Sequence, residues 1–497
     1  MAWVTLLCAT FVSIAAAAEN AVENNRNDLP DIGTPADQVM SRSDEFNIGL
    51  MVIRGLRDQG QILDDPEIAD YIQTLGSRIA AQTGDSGHNF QYFVIKESDI
   101  NAFALPGGFI CVNQGLVLAT ANESQLASVL AHETAHVTQR HIAREIRQQG
   151  RTGLASAAAL LAAILIGAAG GGGGAVEGAI ALAQGAAQQQ TINFTRSNEE
   201  EADRVGISFL AAAGFDPQGM PDFFEAIGRR NTLQSPTQYI PSLLQDHPVT
   251  SDRIAESRER ASHYPRTKQP ESLTYAFARE RLRVVSAPSD EDLRPYYASR
   301  RADRTLTPAE RYGEALAIAQ AGDRASAEST LRDLGRKYPT LPLIQASLGQ
   351  TQDIEGHATE ALATLANAVS ISPRNVPLSI RYAEALMRTG RNKEAHELLL
   401  DLFNNVAPTP AQIRLIALAA SAAGDSGDAY FYMGEYHISS GDLPLAVNQL
   451  ELALAAPNIT PVQRARYAAR MKEVRDALAE SRAHKSRQQS EAANIAP

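Results

Sequence analysis

A chain of 497 residues is too long for one ordinary core and divides into two or three domains. Its 44% apolar and 21% charged residues are those of a globular protein, and a formal net charge of -12 leaves no basic footprint for nucleic acid. Of two cysteines, Cys8 lies in a segment expected to be removed, so Cys111 stands alone and no intramolecular disulfide is expected.

Residues 1–18 read as a secretory signal peptide. Ala2 to Ile14 is apolar and Ala15-Ala16-Ala17-Ala18 offers small residues for cleavage, although no Lys or Arg precedes the run. Residues 19–44, polar and rich in Pro, Asp and Asn, read as an extended arm. A domain over 45–265 opens with Ile48, Met51, Val52 and Leu56 at helical spacing. Asp64-Asp65-Pro66 then marks a second helix start, with proline in the first turn. Ile68, Tyr71, Ile72, Leu75 and Ile79 continue that helix, and Thr83-Gly84-Asp85-Ser86-Gly87 breaks it. Three strand candidates follow at 90–95, 100–105 and 109–112, the last two joined by a turn at Pro106-Gly107-Gly108. A sheet edge beside a metal-bearing helix can hold an extended peptide by strand addition, with Asn101 as a candidate contact; in the competing reading Asn101 and the glycines only shape a turn.

Immediately after this sheet comes His132-Glu133-Thr134-Ala135-His136, in a run with Leu126, Val129, Leu130 and Val137 at helical spacing. At about 100° per residue, His132 and His136 lie roughly 40° apart on one face, where two imidazoles can grip one zinc ion. Glu133 sits beside them, placed to deprotonate a water. His141 falls about 140° from His136 on a continuing helix and is a poor ligand candidate. Leu154 to Ala169 and Ala175 to Ala187 are Ala-rich around the Gly170–Gly174 run. They read as a helical hairpin packed on the protein or in peripheral contact with a membrane, since the apolar run is short for a span.

A metal held by two histidines needs a third protein ligand, with the fourth place left open. The helix opening at Arg196-Ser197-Asn198-Glu199-Glu200-Glu201-Ala202-Asp203 places Glu199 and Asp203 four apart on one face. That suits Glu199 as ligand and Asp203 as partner of an imidazole N–H. Glu200 and Glu201 are rivals by type, read as solvated first-turn acids favoured by the helix dipole.

The pattern His132-Glu133-x-x-His136 followed by Arg196-x-x-Glu199-x-x-Ala202-Asp203 resembles the HtpX-type zinc metallopeptidases, a gluzincin group. So do Asn101-Ala102-Phe103-Ala104-Leu105-Pro106-Gly107-Gly108 and His247-Pro248-x-x-x-x-Arg253-Ile254, in the family order. The resemblance implies one zinc ion per chain held by His132, His136 and Glu199, with Glu133 as catalytic base and Asp203 as assisting acid or partner of a ligand. It also implies that His247 can approach the metal as a fourth, regulatory ligand holding the site closed, with Arg253 near a developing oxyanion.

Residues 266–306, charged and carrying Pro288 and Pro295, read as a connector. From 307 to 482 the pattern is paired helices. Gly322, Gly356 and Gly390 recur every 34 residues, each with alanine five residues on at Ala327, Ala361 and Ala395. Gly434, Gly441, Ala446, Ala453 and Pro457 continue out of phase after an extra helix around Pro410 to Ala423. This resembles tetratricopeptide repeats, whose stacked pairs bind peptides or partner proteins on a concave face. Residues 483–497 read as a disordered tail. The expected chain is therefore mainly α: a gluzincin-type α+β zinc peptidase domain with a small β-sheet, followed by an α-helical tetratricopeptide-repeat superhelix. Its combination of export signal, zinc peptidase and repeats resembles periplasmic quality-control peptidases. That implies misfolded or misassembled outer-membrane proteins as substrates, the barrel-assembly machinery as a partner of the repeats, and a chaperone-like side role. A chaperone or assembly scaffold with structural zinc is the alternative reading; a membrane-embedded prenyl-protein protease has too few long apolar spans.

Overall fold

The computed structural model describes residues 40–149, 196–233, 241–267 and 272–495. The signal segment, nearly all of the arm and the Leu154–Ala187 hairpin lie outside the described residues. Helix α1 (Arg42–Asp58) begins inside the stretch assigned to the arm: Ser41 caps it and Asp44 closes a capping box. Two otherwise unpaired backbone N–H groups are satisfied that way, so the helix starts before its first apolar residue. Helix α2 (Pro66–Ala80) is capped by the Asp65 carboxylate, which accepts from the Ile68 N–H.

Strands β1 (Gln91–Ile95), β2 (Ala102–Leu105) and β3 (Phe109–Asn113) form one sheet in the order β1-β3-β2, with β1 parallel and β2 antiparallel to the central β3. Every residue of β3 is buried, because both faces are covered. Phe109 and Cys111 pack with Val52, Ile53 and Leu56 of α1, whereas Ile110 and Val112 join the larger core with Ile72 and Leu75 of α2. The period-two alternation of a strand thus splits one five-residue stretch between two cores. Cys111 is a buried free thiol.

After α3 (Gln114–Ala119), helix α4 (Glu123–Thr138) runs through the middle of the domain, buried from Gln125 to Val137. Helix α5 (His141–Gln149) follows, then α6 (Arg196–Ala212), α7 (Gly219–Leu233), α8 (Ser242–Asp246) and α9 (Ser251–Ser262). Gly206 lets α6 press against α4: a Cβ there would stand 3.1 Å from the His132 backbone nitrogen. That close approach carries the acidic face of α6 onto the two histidines.

The span 266–306 holds two helices, α10 (Leu273–Val285) and α11 (Arg294–Asp303). Helix α10 is built into the core through Tyr275, Phe277, Ala278 and Leu282. Its charged composition conceals this because Arg281 is buried with Asp65 and Glu67 as partners. Paired helices follow: α12 (Pro308–Gln320) with α13 (Arg324–Lys337), α14 (Pro342–Glu355) with α15 (Ala358–Ile371), α16 (Val376–Arg388) with α17 (Asn392–Phe403), and α18 (Pro410–Ala422) with α19 (Ser426–Ser439). Gly322, Gly356, Gly390 and Gly424 all take positive φ at the inner turns, at 103°, 92°, 78° and 83°. Gly424 lies 34 residues after Gly390, so the helix read as extra, Pro410–Ala422, is the first of a fourth pair. Gly441 follows half a period later, at φ 82°. Helix α19 therefore serves twice, packing on α18 and on α20 (Leu443–Ala455). Helix α21 (Pro461–Ile495) closes the array and continues through most of the stretch read as a tail.

The array returns to the peptidase half at separate places. Arg381 of α16 bonds Glu67 of α2, and Arg54 of α1 donates to the Ser439 and Ile438 carbonyls at the end of α19, at 2.7 and 3.0 Å. Among the described residues, no helix is long and apolar enough to cross a membrane.

Candidate active site

One helix supplies the first half of the site. Asn122 caps α4, accepting from the Gln125 N–H, and the Thr134 hydroxyl lies 2.9 Å from that of Tyr92 on β1, fixing the roll of the helix against the sheet. His132 and His136 then face the same side, their Nε2 atoms 3.0 Å apart. Glu199 on α6 reaches both, with carboxylate oxygens 3.5 Å from His132 Nε2 and 3.4 Å from His136 Nε2. His247, just past α8, completes the group: its Nδ1 lies 2.9 Å from Glu199 Oε1 and 3.4 Å from His132 Nε2. One ligand atom from each of these four buried residues falls within 4.8 Å of the others.

Glu133 is wholly buried beside them. Among the described residues neither of its carboxylate oxygens has a hydrogen-bond partner, and His247 Nε2 stands 3.6 Å away. Burial pushes this carboxyl up, against the opposing pull of His247 and His132. Two imidazoles and a carboxylate converging next to an unsatisfied buried carboxylate form a cradle for a divalent metal and a water. The electrostatics agree. Burial works against a proton on His132, yet Asp203 and Glu199 carry it up to about 10. Burial leaves His136 well below its ordinary range and thus neutral. Burial also opposes charge on Glu199, but His247, His132 and His136 hold it far below the usual carboxylate range. A site that attracts positive charge this strongly suits a cation.

Asp203 lies one turn beyond Glu199, with Oδ1 2.9 Å from His132 Nδ1. Arg253 on α9 clamps it, donating from Nε and Nη2 at 2.8 Å each, and contacts Glu199 Oε2 at 2.8 Å. It also donates to the Pro248 carbonyl at 2.9 Å and lies over the Phe224 ring. The sequence expectation put Arg253 near a developing oxyanion. Here its guanidinium is engaged by Asp203 and Glu199, and the residue also lines the cavity beside His132, Glu133 and His247. Asn101 has partners within the chain. Its amide donates to Asp246 Oδ2 at 3.1 Å and its oxygen accepts from the Ala102 N–H, so it ties the start of β2 to the residue preceding His247. Helix α8 is anchored to the same loop, the Leu243 N–H donating to the Ile100 carbonyl at 3.2 Å.

His141, set aside on helical spacing, and Glu201, read as a solvated first-turn acid, both sit at the site. His141 is buried with Nδ1 2.9 Å from His136 Nδ1, and its Nε2 is 3.1 Å from Glu201 Oε2. Glu200 is exposed. A small cavity opens beside His132, Glu133 and His247, lined by Val129, Phe223, Phe224, Leu243 and Val249 among others. His396, Asp425 and Asp428 form a second group of metal-ligand type among the described residues. Asp428 there is already engaged by Arg466 and Tyr467, and Asp425 by Gln463, so protein partners fill it.

Comparison with known proteins places this geometry. Residues 66–261 match the model of peptidase family M48, and residues 354–419 match a tetratricopeptide repeat. The chain is 32% identical over 455 residues to the beta-barrel assembly-enhancing protease of Yersinia pestis, covering 90% of this chain and 91% of the relative. To that of Escherichia coli (strain K12) it is 31% identical over 464 residues, covering 92% and 93%. Mitochondrial metalloendopeptidase OMA1 of Arabidopsis thaliana is 29% identical over 171 residues, 34% of this chain and 32% of the relative. A metallopeptidase domain joined to helical repeats, matched almost end to end, puts the chain in peptidase family M48, among the beta-barrel assembly-enhancing proteases.

Proposed function

We propose that this metallopeptidase is an exported, periplasmic zinc endopeptidase that cleaves misassembled envelope proteins, outer-membrane β-barrels among them. The observation that carries it is the convergence of His132, His136, Glu199 and His247 beside the unsatisfied carboxylate of Glu133. His132, His136 and Glu199 are the zinc ligands, a donor set of two imidazoles and one carboxylate that suits this metal. Zinc bound there supplies Lewis-acid activation of a water and of the scissile carbonyl. Glu133 takes the proton from that water and hands it to the leaving amine. Asp203 keeps His132 in the tautomer that offers Nε2, and Arg253 keeps Asp203 and Glu199 in place. The edge of β2, which pairs with no further strand among the described residues, is where an extended substrate adds as a strand. The repeats recruit substrates or the barrel-assembly machinery; support comes from the names of the relatives and from the way the array closes back on the peptidase half.

His247, beside Glu133 and Glu199, would take the place on a bound metal that a water needs. Held there, it makes the resting enzyme closed and favours a chaperone-like role between openings. Cleavage of an unfolded outer-membrane barrel protein tests both parts. Chelation should abolish it and one equivalent of zinc restore it. His247→Ala should cleave faster than wild type, roughly tenfold for each ~1.4 kcal/mol by which His247 favours the closed state. Cleavage that survives chelation overturns the zinc reading. An unchanged or slower His247→Ala enzyme with zinc retained overturns the closure.

A further inference from the structure

We propose that His141 and Glu201 are positioning residues that orient His136 for the metal. The proposal rests on the reading of His136 as a zinc ligand, and it concerns a histidine which helical spacing places on the wrong face and an acid whose position suggests only a solvated first turn. Were α4 to continue, His141 would point about 140° away from His136. It does not continue. Arg140 takes φ 52°, a left-handed conformation that costs a non-glycine residue on the order of 1–2 kcal/mol. The Arg140 side chain is buried and holds the conformation in place, Nε donating to Glu45 Oε1 at 3.1 Å and Nη2 to the Met40 carbonyl at 2.7 Å. The break turns α5 so that its first residue, His141, folds back onto the end of α4.

The contacts that follow have one consistent proton arrangement. His136 turns Nε2 toward His132 and Glu199, so a metal there needs the lone pair on Nε2 and the proton on Nδ1. That N–H donates to His141 Nδ1, 2.9 Å away. His141 therefore carries its own proton on Nε2 and donates it to Glu201 Oε2 at 3.1 Å. Glu201, as a carboxylate, can only accept, and it also accepts from Arg144 at 2.8 Å. Reversing either tautomer sets two N–H groups or two lone pairs against each other. Each ligand histidine is thus oriented by a carboxylate of α6: His132 directly by Asp203, and His136 by Glu201 through one intervening imidazole. This explains why α6 carries three consecutive acids of which only Glu200 is fully exposed.

The test is the zinc dissociation constant of the full chain, measured by competition with a chromophoric chelator. The metal-free melting temperature is recorded alongside. His141→Leu removes the acceptor at similar volume and should weaken zinc binding about 10–100-fold. His141→Asn places Oδ1 where Nδ1 stood and should recover most of that loss, with the metal-free melting temperatures of both near wild type. Should the leucine variant fail to fold, Glu201→Ala, at a half-buried position, should still weaken zinc about tenfold, the low end of that range. Wild-type zinc affinity in His141→Leu or in Glu201→Ala overturns the proposal. Leucine and asparagine variants that are equally weak overturn it too, since they assign His141 to packing alone. A wild-type chain that binds no zinc is a different failure, of the ligand assignment itself.

Discussion

Replacing Glu133 by glutamine is expected to lower the turnover of an unfolded barrel substrate by about 10²–10⁴-fold, while leaving the bound metal and the melting temperature near wild type. Glutamine keeps the size and one acceptor oxygen of the side chain but cannot take a proton. The position is unusually exacting. Glu133 is fully buried, and its oxygens have no hydrogen-bond partner among the described residues. A buried carboxylate left unpaired destabilises a protein by several kcal/mol unless a ligand or water satisfies it. A structural role would have given Glu133 a hydrogen-bonded arginine, as the domain does for other buried acids: Asp203 has Arg253, and Glu67 has Arg281 and Arg381. Activity within a few-fold of wild type in Glu133→Gln would contradict its role as base.

A comparably large effect, on stability, is expected at Glu67. This residue of α2 is 3% exposed and lies between two arginines from the other half of the chain. Its Oε2 is 2.9 Å from Arg281 Nη2 and 2.9 Å from Arg381 Nη2, while Oε1 accepts from Arg381 Nε at 2.9 Å. Arg281 is bidentate to Asp65 as well, at 2.7 Å twice, and donates to Ser347. Among the described residues, Glu67→Ala leaves Arg381 buried with only Glu384, at 3.1 Å, as a carboxylate partner. Breaking a buried pair from one side typically costs about 3–5 kcal/mol. Because the lost contacts join α2 to α16, the repeat array should loosen from the peptidase half, seen as a lower melting temperature and faster proteolysis between the two. The double change Glu67→Leu with Arg381→Met removes both charges and should recover most of the loss. A Glu67→Ala chain that melts like wild type would show that α10 and the end of α19 suffice to hold the array. The same helix α2 reaches the site helix, since the Tyr71 hydroxyl donates to Glu123 at the start of α4 at 3.0 Å.

The legible parts of this chain were those where a local pattern maps onto one element. The spacing of His132 and His136 set both on one helical face, and Glu199 and Asp203 could be paired because an i,i+4 step needs no tertiary information. Repeat glycines are legible for the same reason, although the half-period step to Gly441 masks the fourth pair, whose turn Gly424 marks at the next 34-residue step. What stayed hidden depended on breaks and burial. His141 was ruled out by the geometry of a helix that in fact ends at Thr138, and no composition rule marks Arg140 as left-handed. Helix α10 reads as a charged connector because one of its arginines, Arg281, is buried against Asp65 and Glu67 rather than held on the surface. Asn101 and Asp246 stand 145 residues apart, and only the fold shows that they meet.

We propose that His132, His136 and Glu199 hold a zinc ion, with His247 beside it. X-ray diffraction from crystals of the zinc-loaded chain, recorded at the zinc absorption edge, locates the metal. One anomalous peak is expected, between the Nε2 atoms of His132 and His136 and the Glu199 carboxylate, with a nitrogen of His247 beside it. A peak elsewhere, or none among these four residues, would contradict it.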